Sequence, residues 1–328
     1  MIPYIYRLTL GAGLRYNQEK KEFSLTSSSI GTTSKIEVTA LPLDTKETTW
    51  KEWTGDAQLS WTPFSNEYGT LLSYLKYGRG FKGGHFNASL TITGGDPEQD
   101  IDPVEPEFVD SVEFGLRTRW FDDRLIFNAA LFRYWYQDLQ VFDIVNEYGQ
   151  LPLQRLLNGD ASVRGAEAEL HLRPVPGLLI SANGGWLDSE FKDFVATKTP
   201  ATTIPVRFNY TGHQLVAAPT WNFSAIINYE IPLFGWGTLI PQYNVNWRSK
   251  AYFDPQMLDP ISQEAYFLHN CRIAYRTPDG QIELAFWVAN LFEEEYKVDA
   301  FDLTRTDYRI LEVWGEPRTY GVTLSLNW

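Results

Sequence analysis

Apolar and polar residues alternate with a period of two in about a dozen stretches of this chain, and no other pattern constrains the fold as strongly. The closing stretch TYGVTLSLNW is faultless: Tyr320, Val322, Leu324, Leu326 and Trp328 share one parity, and Gly321, Thr323, Ser325 and Asn327 share the other. Successive side chains of a β-strand point to opposite faces, so each stretch reads as a strand with one apolar and one wet face. The same reading holds for Tyr4 to Tyr16, Trp53 to Trp61, Val112 to Trp120, Ala166 to Arg173, Trp221 to Ile231 and Leu239 to Arg248. Residues 70 to 81 and 124 to 140 carry apolar side chains on both parities. No window approaches the roughly 18 consecutive apolar residues of a transmembrane helix, which excludes a helical membrane protein.

The connections decide which environment the apolar parity faces. In order along the chain they alternate between short (62 to 69, 121 to 124, 173 to 177, 232 to 237, 277 to 280) and long (82 to 108, 141 to 160, 191 to 218, 290 to 317), with 251 to 264 intermediate. A soluble sandwich has no reason to sort its loops in this way. A barrel in an outer membrane does, because its periplasmic turns are short and its extracellular loops long. The clean strands also have about the 9 to 11 residues that cross a bilayer at a tilt near 45°.

Aromatic residues make up 15% of the chain, with 12 Trp and 18 Tyr, too many polar-tipped rings for a dry core alone. They gather near the short turns (Trp61, Phe64, Trp120, Phe121, Phe234, Trp236, Trp328) and near the opposite strand ends (Tyr16, Tyr77, Trp135, Trp186, Trp247). Two such belts match the two interfaces of a bilayer. The expected fold is therefore all-β: an antiparallel up-and-down transmembrane barrel with about 12 strands present, short periplasmic turns and long extracellular loops. A chain that ends on an exposed aromatic then needs no covering layer, because the ring of Trp328 sits at the periplasmic interface.

A net charge of −13 argues against a nucleic-acid partner, which requires a basic face. His85, His171, His213 and His269 have no ligand-like spacing, so neither a metal site nor a cofactor is expected. Cys271 shares its parity with Phe267, His269, Ile273 and Tyr275 and reads as a packed thiol. The opening MIPYIYRLTLGAGLRY enters alternation at once and does not read as a secretion signal.

At YLKYGRGFKGGHFN (74 to 87) the chain resembles the C-terminal part of the barrel of TonB-dependent outer-membrane receptors. VEFGLRTRWFDDRLIFNAALFRYWYQDLQ (112 to 140), VRGAEAEL (163 to 170), WVANLFEEEY (287 to 296) and the terminal GEPRTYGVTLSLNW follow in the family's order. The resemblance implies residues 1 to 328 as a single partial barrel domain of a nominal 22-strand barrel, in the bacterial outer membrane, with signal, energy-coupling box and plug lying outside these residues. It implies uptake of a scarce nutrient, foremost a ferric siderophore, with the extracellular loops contacting a small-molecule metal chelate. Candidate contacts are Arg79, Lys82, His85 and Phe86 at the first long exit, then Tyr148, Arg155, Arg207, His213, Arg305 and Arg309. Arginine and aromatic side chains suit anionic, partly aromatic chelates.

On the wet parity Glu113, Arg117, Arg119, Glu167, Glu169 and Arg173 are expected to line the lumen and to meet a plug. Further implied partners are outer-membrane lipid and lipopolysaccharide, the missing plug and N-terminal barrel strands, the TonB-type inner-membrane energy-coupling complex, and the barrel assembly machinery. For the last of these, Tyr320, Val322, Leu324, Leu326 and Trp328 would be the terminal signal. The glycines Gly80, Gly83 and Gly84 are expected to permit a turn or a positive φ where the strand leaves the barrel. A partial sheet leaves two unpaired edges that cost several kcal/mol per polar group in hydrocarbon, so it must pair with missing strands or close on itself.

Two other readings compete. A passive porin-like channel keeps the barrel and drops the coupling. A secreted β-rich carbohydrate-active enzyme would use Glu167 and Glu169 as its paired carboxylates. Residues i and i+2 of a strand lie roughly 6 to 7 Å apart with no cleft to define them, and the chain is read as a non-enzyme.

Overall fold

The computed structural model describes residues 7–23, 26–27, 41–42, 46–87, 103–145, 153–198, 206–304 and 309–327. Twelve long strands form one antiparallel meander, each bonded to its sequence neighbours. They are β1 (Arg7–Phe23), β2 (Lys46–Asn66), β3 (Gly69–Lys82), β4 (Glu107–Trp120), β5 (Leu125–Val145) and β6 (Leu153–Leu172). There follow β7 (Leu178–Asp193), β8 (Trp221–Tyr229), β9 (Thr238–Arg248), β10 (Tyr266–Arg276), β11 (Ile282–Ala289) and β12 (Thr319–Leu326). The wall is a curved sheet rather than a closed ring: among the described residues, β1 and β12 each keep one unpaired edge.

The register carries the sequence alternation intact from strand to strand. Leu10, Leu59, Leu75, Phe114, Leu131, Ala166, Trp186 and Trp221 stand side by side across β1 to β8. On the opposite face Arg117, Asn128, Glu169, Asn183, Ser224 and Asn246 form a polar rung across β4 to β9. The apolar face has no second layer: in β12, Tyr320 is 78%, Val322 60%, Leu324 61% and Leu326 52% exposed. Trp328 and Tyr4 lie outside the described residues. A slip of one residue would turn this greasy face inward, so the pattern pins the register.

The first short turn is tighter than the sequence suggests. Residues 62 to 69 read as a short connection, yet β2 runs on through Pro63 to Asn66 and pairs with Gly69. A register shift between Trp61 and Phe64 absorbs the proline, as bulges do. In the turn at 230–237 the side chain of Phe234 is 98% exposed and that of Trp236 78%. Gly237 there has φ +104°, and an added Cβ would collide with the carbonyl of Arg276.

At the other end of the wall, β5 continues to Val145 and β6 begins at Leu153, so most of the expected loop 141 to 160 is paired strand. These extensions carry the molecule's largest dry cluster among the described residues. Phe191 and Phe194 are each 1% exposed and pack with Val141, Ala161, Ala196 and Tyr210. A small hairpin, 195–198 paired with 206–209, forms the lid of that cluster.

Candidate functional site

Two surfaces are placed to meet other molecules: the lumen wall at mid-height and the extracellular rim. On the lumen wall the structure brings most of the predicted polar residues together. Tyr74 donates its hydroxyl to Glu113 at 2.6 Å, and the guanidinium of Arg117 lies 5.5 Å from the centre of the Tyr74 ring. Asn128 donates to Glu169 at 3.0 Å, and His171 bridges Glu169 and Ser181 at 2.8 Å each. Of these, Tyr74, Arg117, Asn128 and Glu169 border, with Glu167, a recess of about 630 Å³.

The floor of the recess is largely backbone, because the lumen parity carries Ala130 and Gly185 here, in register with Glu167. Along the lumen parity of the wall, rings lie against strand glycines. An added Cβ at Gly115 would overlap the Tyr74 ring, one at Gly165 the Phe132 ring, and one at Gly321 the Trp287 ring. An aromatic ring laid over a strand glycine covers backbone that would otherwise be open. These pairings explain why the glycines of VEFGLR and VRGAEAE stand where they do, which the sequence reading missed; an aromatic residue of inward parity on the paired strand is the signal that points to each.

Arg119 and Arg173 stand apart from the recess. Arg119 forks onto Asp123 in the turn after β4, and Arg173 donates to the Asp123 carbonyl at 3.4 Å. The Arg119 guanidinium holds the Asp123 carboxyl below its ordinary range. Both arginines brace a periplasmic turn. A second brace, absent from the sequence reading, joins Arg272 and Arg276 to Glu283 at 2.6 and 3.0 Å.

At the rim, the first long exit is strapped down. Arg79 pairs with Asp110 at 2.7 Å and lies over the Phe108 ring. Lys82 lies 3.6 Å from Glu107, and Phe86 stacks on Phe23 at 5.4 Å. His85 lies 3.4 Å from the Nζ of Lys21, which itself donates to the Gly84 carbonyl at 2.7 Å. Burial, then the Lys21 and Lys82 cations, push the His85 pKa down. The nearby glycines provide room and not a turn: Gly80, Gly83 and Gly84 all lie outside the positive-φ set. An added Cβ at Gly84 would meet the Val104 carbonyl and the Trp50 ring, and one at Gly83 the Glu19 carboxylate.

The remaining rim candidates are spread out. His213 donates from Nδ1 to the Pro255 carbonyl at 2.6 Å. Arg207 sits in the small hairpin opposite Thr197, and Arg309 opposite Leu303 in the 297–314 hairpin. Arg155 pairs with Asp143 through the backbone of the extended β5–β6 ladder. Tyr148 and Arg305 lie outside the described residues. A rim pocket of about 400 Å³ is walled by Phe142, Phe191, Phe253 and Phe301, with Asp254, Asp299 and Asp302 at its border. Its aromatic walls were not anticipated, because they come together from four segments far apart in sequence.

The motif ANLFEEEY closes the last exit. Asn290 has φ 50°, and its side chain donates to the Glu294 carbonyl at 2.8 Å and accepts from the Glu294 N–H at 2.8 Å. Asparagine tolerates this left-handed geometry and bonds its own backbone there. Tyr296 stacks on Tyr266 at 4.9 Å, and Gly315 leaves space for the Tyr296 ring.

A family model described as TonB dependent receptor-like, beta-barrel, matches residues 2–291. Among solved structures the chain is similar to the ferric yersiniabactin uptake receptor FyuA from Yersinia pestis, with TM-score 0.73 and 20% identity over 98% of this chain and 43% of that one. It is similar to the siderophore receptor PiuA from Acinetobacter baumannii, with TM-score 0.70 and 19% identity over 97% of this chain and 40% of that one. A third similarity is to the copper transporter OprC, with TM-score 0.66 and 14% identity over 98% of this chain and 45% of that one. The chain thus spans less than half the length of these structures.

Proposed function

The chain belongs to the TonB-dependent receptor-like β-barrel family, and from that premise we propose that it forms the C-terminal part of the barrel of an outer-membrane receptor that imports a ferric siderophore under TonB control. Membership sets the protein in the outer membrane. The observation that carries the receptor reading is the lumen recess. Its polar groups are tied to one another across strands, and its floor is glycine and alanine backbone, which gives a fixed, indented surface of the kind a seated plug requires. A freely conducting pore has no need of such an indentation. Arg117, Glu167 and Glu169 in the recess, with Glu113 beside it, are the plug contacts in this reading.

Cargo capture belongs to the rim. The pocket walled by Phe142, Phe191, Phe253 and Phe301 would take the aromatic or aliphatic part of a chelate. Arginines of the long loops, Arg207 and Arg309 among them, would meet its anionic part. Iron and copper are the two cargoes to separate, since the similar structures include a ferric yersiniabactin receptor, a siderophore receptor and a copper transporter by name.

The test is growth of an iron-starved Gram-negative strain lacking its own siderophore receptors and complemented with the gene that encodes this chain. Rescue by a ferric siderophore that vanishes on deletion of TonB supports the reading. Rescue independent of TonB, or conductance by the protein in planar bilayers without TonB, would replace it with a passive channel. Copper uptake without iron uptake would keep the receptor and change the cargo.

A further inference from the structure

The outward face of the wall is not uniformly greasy. One rung above the row Phe114, Leu131, Ala166 and Trp186, the same face carries Val112, Arg133, Arg164 and Asp188 in register. Arg133 and Arg164 are direct cross-strand partners, and both are exposed. Like charges opposite one another on neighbouring strands repel, so the pair calls for an anion. Arg164 is bound by Asp188 at 2.6 Å on its far side. Asp110, on the rung above, is occupied by the Tyr77 hydroxyl and Arg79. Among the described residues no carboxylate pairs with Arg133, whose guanidinium lies 5.0 Å from the centre of the Trp135 ring.

The height of this pair matters. From Leu125, at the periplasmic end of β5, to Arg133 the strand climbs roughly 20 Å if tilted near 40°. The apolar band of such barrels is about 25 Å tall, so the guanidinium groups reach its upper boundary, where lipid phosphates lie. Directly below runs an apolar furrow of about 700 Å³, floored by Ala129, Ala166, Ala168 and Gly184 and banked by Leu131 and Trp186. Small residues on adjacent strands create the furrow, and its lining is almost wholly carbon.

We propose that Arg133 and Arg164 hold a phosphate of an outer-leaflet lipid whose acyl chain lies in this furrow. Charge complementarity selects a phosphorylated headgroup, and the position of the arginine pair one rung above the furrow selects a lipid over a soluble anion. Guanidinium groups present paired N–H donors that match phosphate oxygens. The inference rests on the outward orientation of this face and is independent of what the receptor carries.

The full chain, purified in detergent micelles, is titrated with bisphosphorylated lipid A, with the same lipid after removal of both phosphates, and with inorganic phosphate, and bound lipid is read by native mass spectrometry. The phosphorylated lipid should bind about tenfold more tightly than the dephosphorylated one. The Arg133→Gln/Arg164→Gln double variant should erase that preference, while Arg248→Gln on the lumen face should preserve it. Ala168→Trp, which fills the furrow, should weaken both lipids alike. Equal binding of the two lipids, or an undiminished preference in the double variant, overturns the proposal. Competition by inorganic phosphate at concentrations equal to the lipid's would make the site a simple anion site and also overturn it. If the double variant does not fold, the comparison of the two lipids on the unaltered chain still decides. Cargo uptake is not read in this assay, so its failure leaves the receptor reading standing.

Discussion

The same kind of strand is stabilised in two different ways at its two heights. At mid-wall, Leu75 and Phe114 are paired neighbours, 50% and 44% exposed, with nothing of the protein over them. Higher up, β5, β6 and β7 continue in the same ladder, yet Phe191 is 1% exposed beneath a hairpin of the chain's own making. The lower region relies on lipid as the partner for its apolar face, whereas the upper one stands in water and builds a core. Alternation is the product of both settings. What distinguishes them is whether the chain supplies a covering layer.

Substitutions chosen to strike one region and spare the other sharpen this contrast. The largest effect is expected at the upper core. Phe191→Ala should cost about 3 to 5 kcal/mol locally, seen as rapid proteolysis near 195–210, while the wall keeps its heat-modifiable mobility on gels. Leu75→Arg should act the opposite way, costing about 2 to 4 kcal/mol at mid-bilayer. Urea titration in lipid vesicles would detect it, and an effect within experimental error would mean that this face does not meet hydrocarbon. Gly84→Ala comes next: overpacking against Trp50 and the Val104 carbonyl should cost about 1 to 3 kcal/mol. Hydrogen exchange should then rise in the strap at 83–87 and stay unchanged in β8 to β12.

The smallest effect concerns the turn at 277–280. Hydrogen bonds from Thr277, then from the Gln281 N–H, hold the Asp279 carboxyl below the ordinary aspartate value of 3.8. A depressed folded-state pKa adds stability above that value and loses it as pH falls through the folded one. Asp279→Asn should therefore narrow the gap between melting temperatures at pH 6 and pH 3, with no change in either upper core or strap.

The fold was readable because period two survives in every environment the strands traverse. The turns were less so. The connection at 62 to 69 is mostly strand, because a bulge carries β2 past Pro63, and bulges leave no fixed mark in sequence. The lumen recess was legible as far as its charges, Arg117, Glu167 and Glu169, since parity alone aims them inward. Its shape was not, because the match of Tyr74 to Gly115 depends on register between strands. Arg79 illustrates the remaining gap. As a sequence feature it is a free cation at a loop exit; in the fold it is held by Asp110, a residue 31 positions away. Such partnerships are set by pairing, which no single strand encodes.

Phe234 and Trp236 set the level at which this side of the barrel sits. Two almost fully bare rings on the 230–237 turn act as a float line, since each is most comfortable where acyl tails give way to headgroups. They fix the draught of this side of the barrel, and a thinner membrane would have to pucker locally, or the wall lean further, before these rings would leave their level.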